Sequence, residues 1–271
     1  MTRQVIPQPG CERFSRTLGA FALGLVLLAA PACDERSPAS PSGTTEQPTV
    51  KFTSASFRFL ADRVDADTLG YIASLVEPER ARFMSDLQVD TLPVVSVYVW
   101  QDEASFYADM QARAGQVWAG AGGWVPGRYT VSVLARGPTA GTARAIAHEV
   151  AHVISMVVNF TIVNRPRWLW ETVALYEARE FVNPATLDYM RSGHYPSLAD
   201  LDAPYGSANT RQVYEVGYVL GQFIVGQWGL DGLVRLIRTN GNLPSALGIS
   251  ASEFESRWHA FLHAEYGLPE V

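Results

Sequence analysis

Residues 147–152 read Ala-His-Glu-Val-Ala-His, with two histidines four positions apart and a glutamate after the first. They lie within residues 142–158, which contain no glycine or proline and are therefore predicted to be helical. On a helix, His148 and His152 point the same way about one turn apart, where two imidazoles can bind one Zn²⁺. Glu149 is not a ligand in this arrangement, but it can take a proton from a water at the metal.

A second stretch supplies a third candidate ligand. Residues 166–176 read Pro-Arg-Trp-Leu-Trp-Glu-Thr-Val-Ala-Leu-Tyr, and 18 residues separate His152 from Glu171. That spacing leaves room to end the first helix, to turn at residues 164–166 and to begin a second helix. Glu171 then falls in the first turn or two of that helix, facing the histidines. Two histidines and one carboxylate predict a catalytic zinc site with its fourth position open.

These motifs resemble the gluzincin metallopeptidases, in which His-Glu-x-x-His is followed by a glutamate ligand on the next helix. The 18-residue gap and the run Trp168-Leu169-x-Glu171-x-x-Ala174-x-Tyr176 are most similar to the M1-type aminopeptidase motif. The short chain is more similar to the small peptidase MA-like proteins of bacterial envelopes. The resemblance covers roughly residues 50–271 and is most specific around residues 143–177.

The resemblance implies an α+β, zincin-like fold for residues 51–271. A small mixed sheet and the active-site helix would form an upper lobe at about residues 51–158, and a mostly helical lower lobe would follow at about residues 159–271. It also implies zinc-dependent hydrolysis of peptide bonds in a peptide or protein substrate, with Glu149 as general base. Three alternatives remain open: a buried helix with mutually paired polar residues, a catalytically inactive zincin-fold module that binds a partner, and a purely structural zinc site.

Gluzincins often stabilise the oxyanion with a tyrosine or histidine from the lower lobe. The resemblance points to Tyr214, with Tyr218 one turn away as the second choice and His194 as a further alternative. The chain departs from the family pattern at Leu175, where some gluzincins place an aspartate that orients a histidine ligand. The partner that orients the zinc histidines is thus unidentified from sequence, and Glu177 is a candidate.

Zincins bind substrate along an edge strand of the sheet beside the active-site helix, as a chain that adds a strand to that edge. We expect this edge at residues 129–134, with Tyr129 and Val131 against the substrate. Gly122 and Gly123 would shape the rim, although residues 120–123 are equally compatible with an ordinary glycine-rich loop. M1 aminopeptidases carry an acidic residue in this region, which is absent here, so aminopeptidase specificity is not supported.

Hydrophobic periodicity predicts the remaining elements. A helix over residues 65–87 would be capped by Asp67 or Thr68 and broken near Pro78. The other predicted elements are strands at 51–60 and 93–100 and helices at 103–114, 211–228, 231–239 and 252–266, with a break at residues 229–231.

The first 33 residues resemble an exported leader. They combine three arginines with an apolar run over residues 18–30, which is short for a membrane span and typical of a signal peptide. The small residues before Cys33 resemble a bacterial lipobox, which predicts a lipoprotein anchored to a membrane of the cell envelope through Cys33. Cleavage as a plain secreted or periplasmic protein is the alternative. Residues 34–50 are rich in Ser, Pro and Thr and predict a flexible tether.

Composition limits the class of partner. The formal net charge of −6 and the lack of a basic cluster argue against nucleic acid. Cys11 and Cys33 are the two cysteines, and Cys11 lies in the predicted leader, so the mature domain would contain no internal disulfide.

Overall fold

The computed structural model describes residues 48–271. The predicted signal peptide at residues 1–33, the lipidation at Cys33 and most of the predicted tether lie outside the described residues. The last two positions of that tether, Thr49 and Val50, begin the first strand instead. The described residues belong to one compact unit, and none of their helices has the length and hydropathy needed to cross a membrane.

The described residues contain one five-stranded sheet with the order β1-β2-β3-β5-β4. The strands are β1 (Thr49–Thr53), β2 (Phe57–Ala61), β3 (Val95–Trp100), β4 (Gly123–Gly127) and β5 (Thr130–Leu134). Strands β2, β3 and β5 are parallel, whereas β1 and β4 run antiparallel to their neighbours at the two edges. The predicted α+β class with a small mixed sheet is confirmed.

Helices account for most of the remaining chain. They are α1 (Ala66–Asp86), α2 (Glu103–Ala114), α3 (Thr139–Val158), α4 (Arg167–Glu177), α5 (Asp188–Arg191), α6 (Leu198–Leu201), α7 (Gln212–Arg238), α8 (Leu243–Leu247) and α9 (Ala251–Tyr266). Short 3-10 helices occupy Phe160–Ile162 and Pro184–Thr186. No strand follows β5 within the described residues, so the second half of the domain is helical, as predicted.

The prediction for the first strand was wrong. Residues 51–60 are not one strand, because the chain turns at Ser54, whose backbone N–H donates to the Phe57 carbonyl at 2.9 Å. The partial alternation of aromatic residues crosses that turn, and only the second half, at Phe57 and Phe59, is fully buried.

Helix α1 begins and continues differently from the prediction. Its N-cap is Asp65, whose carboxylate accepts a hydrogen bond from the Thr68 N–H at 2.7 Å, so neither Asp67 nor Thr68 is the cap. The helix also runs unbroken through Pro78. Buried Val76 and Phe83 lie on either side of the proline, and their packing outweighs its local penalty.

Helix α3 is the central element of the fold. It packs between β5, α1 and α4, and Ile146, Val150, Val153 and Ile154 on it are fully or almost fully buried. The opposite face of the sheet is covered by α2 through a smaller cluster of Trp100, Phe106, Met110 and Leu134. Because α3 is enclosed on several sides, the side chains that it carries have little freedom to move.

Helix α7 packs closely on α4. A Cβ atom at Gly217 would lie 2.6 Å from Leu175, and one at Gly221 would lie 2.6 Å from Tyr176, so glycine permits the close approach of the two helices. Gly229 has φ 67° and interrupts α7, which confirms the predicted break at residues 229–231. Helix α8 was not predicted.

Candidate metal centre

The three predicted ligands meet in one buried cluster. On α3, the rings of His148 and His152 lie 4.8 Å apart between centroids. Their Nε2 atoms lie 3.5 Å and 3.8 Å from the same oxygen, Oε2 of Glu171 on α4. One ligand atom from each residue lies within 4.8 Å of the others, so the group could hold a metal ion.

The chemistry of these atoms fits Zn²⁺. Ligand atoms about 2.0–2.2 Å from a tetrahedral zinc stand roughly 3.3–3.6 Å apart. The two imidazole nitrogens lie 3.5 Å and 3.8 Å from Glu171 Oε2, close to that separation. Oε2 of Glu171 is buried and has no hydrogen-bond partner among the described residues. A buried carboxylate oxygen that accepts no hydrogen bond is costly, and a cation bound between it and the two imidazoles would satisfy it.

The other oxygen of Glu171 is held by a tyrosine from α7. The Tyr214 hydroxyl donates to Oε1 at 3.1 Å, and burial raises the pKa of Tyr214 so that it remains a neutral donor. Tyr214 is therefore at the site, in contact with a candidate ligand. Tyr218, the second choice, packs instead against Tyr176 and Phe181, and His194 is exposed beside Ser192.

A carboxylate that the sequence did not identify orients His148. Oε1 of Glu180 lies 3.0 Å from His148 Nδ1, which leaves Nε2 to face Glu171. Glu180 follows the end of α4, where Arg179 adopts φ 54° and the Glu180 N–H returns to the Leu175 carbonyl at 2.9 Å. This reversal of the chain brings the glutamate back toward α3.

The suggestion that Glu177 fills this role is wrong. Its side chain is fully buried on the α1 side, where Arg82 Nη1 donates to Oε2 at 2.9 Å. Arg82 also donates to the Glu177 backbone carbonyl. Burial raises the pKa of Glu177 to about 8 although Arg82 opposes the shift. Glu177 thus attaches the end of α4 to α1 and has no contact with the histidines.

His152 is held by stacking. Its ring lies parallel to Trp170, with centroids 4.0 Å apart and an interplanar angle of 6°. Its Nδ1 atom is buried without a hydrogen-bond partner among the described residues, so packing rather than a hydrogen bond fixes the ring. Trp170 directly precedes Glu171 on α4, and one helical turn therefore contributes both a candidate ligand and the support for another.

The two imidazoles have opposite protonation tendencies. Burial lowers the pKa of His152 well below its ordinary value, which favours the neutral form that binds metals. Burial also disfavours the charged form of His148, but its contacts with Glu171 and Glu180 outweigh this and raise its pKa well above the usual range. A cation at the two Nε2 atoms would replace the proton that His148 otherwise carries.

Glu149 lies beside this cluster and against the sheet edge. Burial raises the pKa of its carboxyl to about 8, with nearby His148 opposing the shift. A Cβ atom at Gly123, the first residue of β4, would overlap the Glu149 carboxylate and would lie 3.0 Å from its Cγ and Cδ. Glycine at this position therefore leaves the space that the Glu149 side chain occupies.

The prediction placed the substrate-binding edge on the wrong strand. Strand β5, with Tyr129 just before it and Val131 within it, pairs with β3 on one side and β4 on the other, so its backbone is not free. The edge is β4, which the sequence presented only as a glycine-rich rim at Gly122 and Gly123. The Gly122 carbonyl accepts from Leu134 on β5, so by the alternation of an antiparallel pair the polar groups of Gly123 point outward.

Comparison with known proteins adds no relative: no family model matches the chain, and no curated protein shows significant sequence similarity to it. The site is defined by its own geometry.

Sequence reasoning missed three contributors, namely Glu180, Trp170 and β4 as the edge. For Trp170, the one available signal was its position directly before Glu171 in the motif. Glu180 reaches His148 through a chain reversal at a non-glycine residue, for which the sequence offers no pattern.

Proposed function

We propose that this protein is a zinc-dependent peptidase of the gluzincin type with a zincin-like fold. The observation that carries the proposal is the convergence of His148 Nε2 and His152 Nε2 on Oε2 of Glu171, a buried oxygen that accepts no hydrogen bond among the described residues. A structural zinc site needs four protein ligands, and the described residues offer three, so one position would be left for a water or a substrate.

The chain's own residues supply the rest of the chemistry. When bound, zinc would lower the pKa of a water and polarise the carbonyl under attack. Glu149 would accept the proton of the attacking water and deliver it to the leaving nitrogen.

Substrate would bind as an added strand on β4. The outward-facing backbone of Gly123 can pair with a peptide, and the same residue lies against Glu149, so the paired chain would pass the general base. Tyr214 would donate to the oxyanion that develops during the reaction, starting from its contact with Glu171. Export and anchoring through lipid at Cys33 remain predictions from the sequence.

The proposal is tested by replacing the general base. Zinc-loaded wild-type protein should cleave peptides in a randomised mixture, and Glu149→Gln should keep its zinc but lose cleavage by at least about 100-fold. Equal cleavage by Glu149→Gln would exclude the mechanism. Zinc binding without cleavage by the wild type would favour the non-catalytic module instead.

A further inference from the structure

Residues 203–211, which we call the strap, connect α6 to α7 and contact the sheet side of the site. The hydroxyl of Tyr205 in the strap donates to the Ala119 carbonyl at 3.1 Å. Ala119 belongs to residues 117–122, the glycine-rich loop that leads into β4. The helical half and the sheet edge are therefore joined just before the start of β4, the strand on which substrate is proposed to pair.

The strap is anchored at both ends by one buried cation. Arg167 is 2% exposed, and its guanidinium donates to the Ala203 carbonyl at 3.0 Å and to the Thr210 carbonyl at 3.3 Å. The Thr210 hydroxyl adds a bond to the Pro204 carbonyl at 2.8 Å. Because Arg167 is the first residue of α4, the strap is fixed to the helix that carries Glu171.

The glycine-rich loop is also held from behind. The N–H of Gly120 donates to the Tyr107 hydroxyl at 2.8 Å, and Trp118 packs on Trp124 of β4 with ring centroids 5.9 Å apart. Gly120 has φ 90°, a conformation that favours glycine, and a Cβ atom added there would lie 3.8 Å from the Tyr205 hydroxyl. The strap that carries Tyr205 and the loop that carries Ala119 are thus each held in place by further contacts.

The position of this contact limits how far a chain paired with β4 can extend. Gly123 lies against Glu149, so the bond cleaved in a chain paired with β4 lies near Gly123. Antiparallel pairing, the more stable arrangement, directs the residues after that bond toward Ala119. Ala119 and Gly123 are four residues apart and at most ~13 Å, the length of about four extended residues at roughly 3.3 Å each. About three residues therefore fit before the chain meets Tyr205 at Ala119.

We propose that Tyr205 is a specificity-determining residue that blocks a chain paired with β4 at the Ala119 end, so that the enzyme cuts peptides near their C-termini and removes about one to three residues. This inference rests on the proposed peptidase function. It concerns which bonds are cut, whereas the zinc site concerns whether any bond is cut.

The test uses zinc-loaded protein and a mixture of synthetic peptides about 14 residues long with randomised sequence and free ends, a length several times the ~13 Å limit. Mass spectrometry counts each cut from the C-terminus for the wild type, Tyr205→Ala and Tyr205→Phe. Tyr195→Phe is the matched control, because it also removes a hydroxyl that bonds a backbone carbonyl, that of Pro269, and it contacts neither the strap nor the loop. Thermal unfolding and zinc content confirm that each variant is folded and loaded.

Wild type and Tyr195→Phe should cut almost entirely within about three residues of the C-terminus. Tyr205→Ala should increase the share of internal cuts by about tenfold or more, because the steric barrier to longer chains is gone. Tyr205→Phe, which keeps the ring, gives a smaller increase and serves as the test if Tyr205→Ala does not fold. Internal cutting by the wild type, or a length limit at the N-terminus instead, would overturn the inference alone. No cleavage by any zinc-loaded variant would overturn the proposed function and this inference together.

Discussion

Glu180 and His148 are linked by a 3.0 Å contact between Oε1 and Nδ1, which fixes the imidazole with Nε2 toward Glu171. The two residues lie on different elements, since His148 is on α3 and Glu180 follows α4. A carboxylate on the far nitrogen sets the tautomer and strengthens the basicity of a metal-ligating histidine.

This contact predicts a loss of zinc affinity in Glu180→Ala of about 10–100-fold, with a smaller loss in Glu180→Gln, whose amide oxygen can still accept the bond. Zinc dissociation constants from competition with a chelating dye provide the measurement. Glu253→Gln, a surface carboxylate paired with Arg257 on α9, is the control and should bind as the wild type does. Unchanged affinity in Glu180→Ala would exclude a positioning role.

Gly123→Ala should abolish most hydrolysis while zinc remains bound. The added Cβ overlaps the Glu149 carboxylate and must displace it, whereas the ligands on α3 and α4 are not touched. Gly122→Ala is the matched control, because a Cβ there meets nothing within 4 Å. We expect at least a 100-fold difference in kcat/KM between these neighbouring variants, as for loss of a general base. Equal activities would show that Glu149 does not act from this position.

Tyr214→Phe should reduce kcat by about 100-fold at saturating zinc with little change in KM, since in the proposed mechanism the lost hydroxyl would act on the developing oxyanion. Its bond to Glu171 also predicts a modest weakening of zinc binding. Tyr218→Phe, one turn along α7 and packed on Tyr176, should be nearly unaffected. Full kcat in zinc-saturated Tyr214→Phe would limit this residue to holding Glu171.

The raised pKa of Glu177 predicts how the free energy of unfolding depends on pH. Its folded pKa of about 8 exceeds the ordinary value of 4.5, so between these values the folded state binds more protons than the unfolded state. Its contribution is therefore complete below pH 4.5 and is lost as pH rises through 8.

The matching variant is Glu177→Gln, in which Arg82 keeps Glu79 at 2.7 Å and Asp86 at 3.0 Å. Measured by denaturant unfolding without zinc, it should be more stable than the wild type at pH 9 by a few kcal/mol at most, and closer to it at pH 5. If the free energies of unfolding of the two proteins changed with pH in parallel, the raised pKa of Glu177 would be contradicted.

The sequence predicted that the three candidate ligands would lie together, because helical periodicity brings His148 next to His152 regardless of context and the 18-residue spacing brings Glu171 to them. Periodicity also predicted the bounds of α2 and the break at Gly229. It could not predict that β4 pairs outside β5, because a glycine-rich strand has no hydrophobic alternation to reveal it. Glu180 depends on a backbone reversal at Arg179, and such long-range placement is decided by tertiary packing.

The most direct test of the central claim is zinc content per polypeptide in the purified protein and in Glu171→Ala. We predict about one zinc in the wild type and almost none in the variant, since two histidines alone bind zinc weakly. Thermal unfolding should show that both proteins are folded. A folded wild type without zinc, or an equal zinc content in the two proteins, would contradict the three-ligand site on which the proposed function depends.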